Sequence, residues 1–96
     1  MDVAVLDRVA RGTGFYRRVT VNDAVRIGSN VSLLLKEEYF VLSGIGPDLW
    51  ELLTTWSTLQ DLLAKLVARH GQSPNAEQFL VRELDSLVER GLVERD

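Results

Sequence analysis

The 96-residue chain contains no cysteine, a single histidine and only two prolines. Without thiols there is neither a disulfide framework nor a thiolate metal site. One imidazole, His70, is too few for a zinc or transition-metal cluster, and no cofactor is expected. No apolar run nears the roughly 20 residues needed to cross a bilayer. Asp2, Asp7, Arg8 and Arg11 stand where a signal peptide has its apolar segment, so the expected setting is the cytoplasm, with no membrane partner. What remains is 46% hydrophobic and 26% charged, the balance of a chain that builds one core.

The net charge of −3 hides an asymmetry. Residues 1–26 carry five basic and three acidic side chains, a balance of +2, whereas the rest carry six and eleven, a balance of −5. An acidic body opposes a phosphate backbone, whose recognition is chiefly neutralisation by Lys and Arg, so no nucleic-acid partner is expected. The basic stretch either docks on an acidic partner or is a solvated leader. Residues 1–18 show no clean period and contain Gly12-Thr13-Gly14, which predicts a loosely ordered arm; residues 19–96 are expected to form one domain.

Val19, Val21, Val25 and Ile27 predict extended backbone with a turn at Asn22-Asp23. A second turn is expected at Ser29-Asn30, since Asn tolerates positive φ. Val31 to Leu35 and Tyr39 to Leu42 are β-type runs separated by Lys36-Glu37-Glu38. Both faces of the last run are apolar, Tyr39 and Val41 on one and Phe40 and Leu42 on the other, so each needs cover.

Three helical patterns follow. The first starts near Pro47 and carries Leu49, Leu52, Leu53 and Trp56 as its buried stripe. The second is capped by Thr58 with Asp61 three residues on, repeats Leu59, Leu62, Leu63, Leu66 and Val67, and stops at His70-Gly71. The third opens at Ser73-Pro74 or Asn75, the latter with Gln78 as a capping-box partner, and carries Leu80, Leu84, Leu87 and Val88 to Gly91, before Leu92-Val93 closes the core. Phe79 falls off that stripe, beside Arg82, Glu83 and Ser86. The expected fold is α+β, a small three-stranded antiparallel sheet followed by three helices.

Catalysis requires a nucleophile with a base, tuned carboxylates or a metal cluster. His70 reads as a helix-end residue, Glu37-Glu38 and Glu83/Asp85/Glu89 as solvated faces, and Gly44-Ile45-Gly46 as a turn without a dinucleotide context. The chain is not expected to be an enzyme. An edge strand can instead accept an extended peptide as an added strand, with a groove supplied by the apolar second face of Tyr39–Leu42 under the Phe79/Glu83/Ser86 flank. The bland alternative is that these aromatics complete the core or a dimer interface, which makes the chain an oligomerisation module.

The ordered set Tyr39-Phe40-Val41-Leu42-Ser43, Leu49-Trp50-Glu51-Leu52-Leu53, Thr58/Leu62/Leu66 and Leu80/Leu84/Leu87/Gly91-Leu92 resembles the PqqD-like family of peptide-recognition elements over about residues 25–94. Two positions depart from the family pattern: Ser43 where Asn is usual and Phe79 where an acidic residue is usual. The resemblance implies a winged-helix-like fold in which a precursor's leader segment adds to the third strand and packs on the third helix. By position it implies peptide-binding residues Tyr39, Phe40, Val41 and Leu42, with Phe79, Arg82, Glu83 and Ser86. It further implies a separate leader peptidase or modifying enzyme as partner, most similarly in lasso-peptide biosynthesis. The alternatives are a peptide chaperone of pyrroloquinoline quinone synthesis and, because the topology is shared, a DNA-binding winged helix.

Overall fold

β-branched and aromatic residues alternating between tight turns should pair as strands, and they do. The computed structural model of the chain describes residues 14–96. In chain order the elements are β1 (Phe15–Arg18), β2 (Asp23–Ile27), β3 (Asn30–Leu35), β4 (Glu38–Leu42), α1 (Gly46–Leu52), β5 (Ser57–Thr58), α2 (Leu59–His70), α3 (Ala76–Glu89) and β6 (Val93–Arg95). The fold is α+β, with two antiparallel three-stranded sheets, ordered β2-β3-β4 and β5-β1-β6.

The first sheet is the meander expected from the Val31–Leu35 and Tyr39–Leu42 runs. Val31 pairs with Leu42, Ser32 with Val41, Leu33 with Phe40 and Leu34 with Tyr39. Side chains alternate across the sheet, so Val31, Leu33, Phe40 and Leu42 share one face. Val31, Leu33 and Leu42 are buried there, while Tyr39 and Val41 on the other face are exposed. Val25 and Ile27 of β2 are exposed as well. The β2–β3 turn falls at Gly28-Ser29, one residue earlier than the predicted Ser29-Asn30. Asn30 is already paired with Ile27, and Gly28 takes a φ of 63° that its missing Cβ makes easy. At the β3–β4 turn a side chain accepts the same strain: Lys36 has φ 59°, and its N–H donates to Asn22 Oδ1 at 2.6 Å.

The second sheet corrects the expectation of a single sheet. β1 lies within the stretch read as a loose arm, yet Phe15 pairs with Thr58, Tyr16 with both Ser57 and Arg95, and Arg18 with Val93. Residues 1–13 of that expected arm lie outside the described residues. Strands of four, two and three residues are too short to show a local period. They exist because distant segments meet. Val19 and Val21, expected to be extended, join no strand; the Val19 N–H donates to the Leu92 carbonyl at 2.9 Å.

The helices close one core over the inner sheet face. Leu49, Trp50 and Leu53 meet Leu62 and Leu66 of α2, the α3 stripe Leu80, Leu84 and Leu87, and then Leu92 and Val93. Thr58 caps α2 as predicted, its Oγ1 accepting from the Asp61 N–H at 3.1 Å. Two local expectations fail. Asn75 precedes α3 with φ −114° and ψ 21° and makes no side-chain cap, because a cap needs extended backbone there. Trp56 is not in the stripe of α1, which stops at Leu52. Thr54 and Thr55 follow, β-branched residues that disfavour another turn, and Thr54 Oγ1 bonds the Glu51 carbonyl at 3.4 Å. Trp56 is left 41% exposed with the Arg17 guanidinium 4.5 Å from its ring centroid.

Candidate functional site

Among the described residues no buried side-chain polar atom lacks a hydrogen-bond partner. Among the described residues the interior thus offers no unpartnered polar side chain to a ligand or substrate. A hollow of about 790 Å³ lies by β1, β2 and α1 and is lined by three arginines. Each is already engaged: Arg17 with Glu94 at 3.0 Å, Arg18 with the Trp50 carbonyl at 3.0 Å, and Arg26 with Glu51 at 3.8 Å. These cations are spent inside the fold. Among the described residues no group of three or more His, Asp or Glu side chains could hold a metal ion.

A different situation exists at β4. It pairs with β3 along one edge, and no strand of the described residues pairs with the other. Beside the end of β4, Val41, Leu42 and Ile45 together with Phe79, Glu83 and Arg90 line a hollow of about 280 Å³. Towards the hairpin tip a second hollow, about 440 Å³, is bordered by Leu35, Glu38, Phe40 and again Arg90. In the other direction Ile45 and Phe79 also border a third, of about 320 Å³, that opens between α2 and α3. Arg90 borders the first and second, and Ile45 and Phe79 border the first and third, so the three hollows follow one another along the strand and the helix and together are termed the trough.

Local sequence places each wall. Phe79, Glu83, Ser86 and Arg90 are spaced four, three and four apart, so they lie in one row along α3 and its end. Phe79 is 52% exposed, whereas Leu80 beside it is buried. The start of α1 is pressed against the end of β4. A Cβ on Gly46 would lie 3.1 Å from Leu42 Cβ and 3.7 Å from Glu83 Oε1, an approach that glycine allows.

The eight residues expected at a site divide on the structure. Phe79, Glu83, Val41 and Leu42 come together, and Phe40 borders the neighbouring hollow. Ser86 is half-buried in the same helical row. Arg82 does not join them; it opens on a separate hollow with Gln78, Val81 and Asp85. The second face of β4 contributes in part: Val41 lines the hollow with Phe79 and Glu83, whereas Tyr39, 73% exposed, borders none of the three. The helices cover the Phe40/Leu42 face. The missed residues are Ile45 and Arg90. Continuing the Phe79–Glu83–Ser86 spacing would have found Arg90, while Ile45 carries no signal until the turn after β4 is known.

The far end of the trough is electrically quiet. His70 Nε2 lies 2.7 Å from Asp48 Oδ2, and Arg69 donates to Asp48 Oδ1 at 3.1 Å. Arg69 also reaches Glu51 at 3.6 Å, which in turn meets Arg26. This chain of ion pairs ties β2, α1 and α2 together, with no lone charge at its α2 end.

No curated protein and no solved structure matches the chain significantly. A family model does: Coenzyme PQQ synthesis protein D (PqqD) matches residues 19–93, a span that includes the free strand edge, α3 and every wall of the trough. By that match the chain belongs to the PqqD family of recognition elements, which bind precursor peptides in ribosomal natural-product biosynthesis.

Proposed function

We propose that the chain binds the leader segment of a ribosomally made precursor peptide as an extra strand on β4 and presents it to a separate leader peptidase in a lasso-peptide-type pathway of the cytoplasm. The observation that carries this reading is the outer edge of β4, which no strand of the described residues pairs with, lying beside a trough whose aromatic wall, Phe79, is half-exposed. A peptide laid against Glu38–Leu42 gains about four backbone hydrogen bonds at a net of about 1 kcal/mol each. Association costs roughly 4–15 kcal/mol. Backbone pairing alone barely breaks even.

Side chains must supply the difference, about 1.5–3 kcal/mol for each fully buried large apolar group. Every second peptide side chain faces inward, onto Phe79, Glu83 and Ser86. The others face outward beside Tyr39 and Val41, where cross-strand pairs add a few tenths to about 1 kcal/mol. Phe40 and Leu42 hold β4 in place from below. Arg82 stays outside the contact in this reading. The role asked of the chain is binding and presentation, with the bond-breaking left to the partner.

The test is a calorimetric titration with the leader peptide of a precursor encoded in the neighbourhood of the gene. Saturable binding that is lost on Val41→Asp and on Phe79→Asp supports the reading; no binding to wild-type protein defeats it. A second reading follows from the matching family, Coenzyme PQQ synthesis protein D: the peptide carrier of pyrroloquinoline quinone synthesis. It uses the same edge and trough. The two part at the neighbouring genes, where a transglutaminase-like peptidase with an asparagine-synthetase-like cyclase marks the lasso pathway.

A further inference from the structure

The third hollow of the trough lies past the end of β4, outside any stretch that can pair with Glu38–Leu42. Its volume of about 320 Å³ falls in the range of small-ligand pockets, about 300–1,000 Å³. Leu63 and Val67 of α2 face Ala76 and Phe79 of α3 across it, and Ile45 forms its border with the rest of the trough. Among the described residues the one ionisable group on its rim, His70, is turned to Asp48 at 2.7 Å. The walls are thus apolar and the rim carries no lone charge, which disfavours a charged or strongly polar guest.

Its position limits what can fill it. A peptide leaving the β4 edge at Leu42 meets Ile45 and Phe79 next, and both also line this hollow. A second copy of the chain is a poor fit, because a stable interface buries about 1,200–2,000 Å², far more surface than a hollow of about 320 Å³ supplies by itself. Resting on the peptide-binding reading above, we propose that the mouth between α2 and α3 is the anchor pocket that selects the precursor: it takes one large apolar side chain, Leu, Ile, Met or Phe, at a fixed offset from the strand-forming stretch of the same peptide.

Ala76 provides a clean perturbation. It is half-buried in the hollow at the first position of α3, where an acidic side chain suits the helix dipole. Ala76→Asp should therefore keep the fold, checked by its thermal midpoint, while placing a carboxylate among the apolar walls. Val67→Phe fills the same space from α2 without adding charge. The probe is a displayed library of random peptides, selected against the wild-type protein and then measured singly.

The proposal expects the selected peptides to share one large apolar residue at a constant offset. Replacing that residue by Ala should weaken binding about tenfold to a hundredfold. Ala76→Asp and Val67→Phe should each weaken the intact peptide by a similar factor and leave the Ala-substituted peptide unchanged. If the peptides need Val41 but are indifferent to Ala76→Asp and Val67→Phe, the anchor pocket is refuted and strand addition stands. If no peptide is selected, or binding ignores Val41→Asp, both ideas fall. If Ala76→Asp instead disperses a dimer of peptide-free protein, the occupant is a second copy and the proposal is overturned.

Discussion

Phe79→Ala should separate binding from stability more sharply than any other single change. Full burial of a phenylalanine side chain is worth about 3 kcal/mol, and Phe79 is 52% exposed in the free protein. A peptide that covers it therefore gains about 1.5 kcal/mol from this ring, close to tenfold in affinity. The half already buried contributes a comparable amount to folding, but alanine recovers roughly 0.5 kcal/mol of helix propensity. The expected loss of stability is about 1 kcal/mol or less. Leu84 is the control, five residues on in the same helix and 0% exposed. Leu84→Ala should cost about 2–5 kcal/mol in stability, with affinity changing only as folding is lost. Isothermal titration with the leader peptide and urea unfolding of both variants supply the four numbers. The reasoning is refuted if Phe79→Ala binds like wild type, or if it unfolds as early as Leu84→Ala.

Three further outcomes follow from the local structure. Lys36→Gly should raise stability by about 0.5–1 kcal/mol, because relief of a left-handed lysine outweighs the extra freedom of glycine in the unfolded chain; a higher urea midpoint with an unchanged slope is the readout. Asp48→Asn removes the acceptor charge shared by Arg69 and His70 and should cost about 0.5–1 kcal/mol, since both partners are solvent-exposed; the loss should shrink in high salt. Trp56→Ala should cost about 0.5–1 kcal/mol through its contact with Arg17, and it leaves Trp50 as the only tryptophan, whose fluorescence then follows the core alone.

Elements with their own local period could be read from the sequence; elements made by distant pairing could not. The leucine repeats of α2 and α3, the Thr58 cap and the two long strand runs each carry their signal within a few residues, and each is found as expected. β1, β5 and β6 are held by pairings such as Phe15 with Thr58 and Arg17 with Glu94, which no window of adjacent residues displays. Trp56 was misplaced for a related reason: its spacing continued the α1 stripe, but the two threonines before it ended the helix. The trough shows the same division. Phe79 announced itself by falling off the apolar stripe, whereas the hollow beside it needs α2, α3 and Ile45 together. Which face of β4 the helices cover was the one point where alternation gave two equal answers and packing chose.

The sheet β2-β3-β4 has two outer edges, so the preference for β4 needs an argument of its own. β1 cannot cover either edge, because its own two sides are taken by β5 and β6. Along β2 all five residues are exposed, and the charged Asp23 and Arg26 lie within the strand, a pattern that discourages pairing with another chain. The hollow next to β2 is the one whose arginines already have partners inside the fold. Pairing at either edge yields the same few backbone bonds, which only about offset the cost of association. The β4 side adds Ile45 and the half-exposed Phe79 as apolar walls free of charged neighbours on α2, whereas the apolar residues beside β2 share their hollow with Arg17, Arg18 and Arg26. On the proposed reading the choice of edge is made by side chains on α3, and placing a charge at Phe79 should abolish binding while every backbone group of the edge remains available.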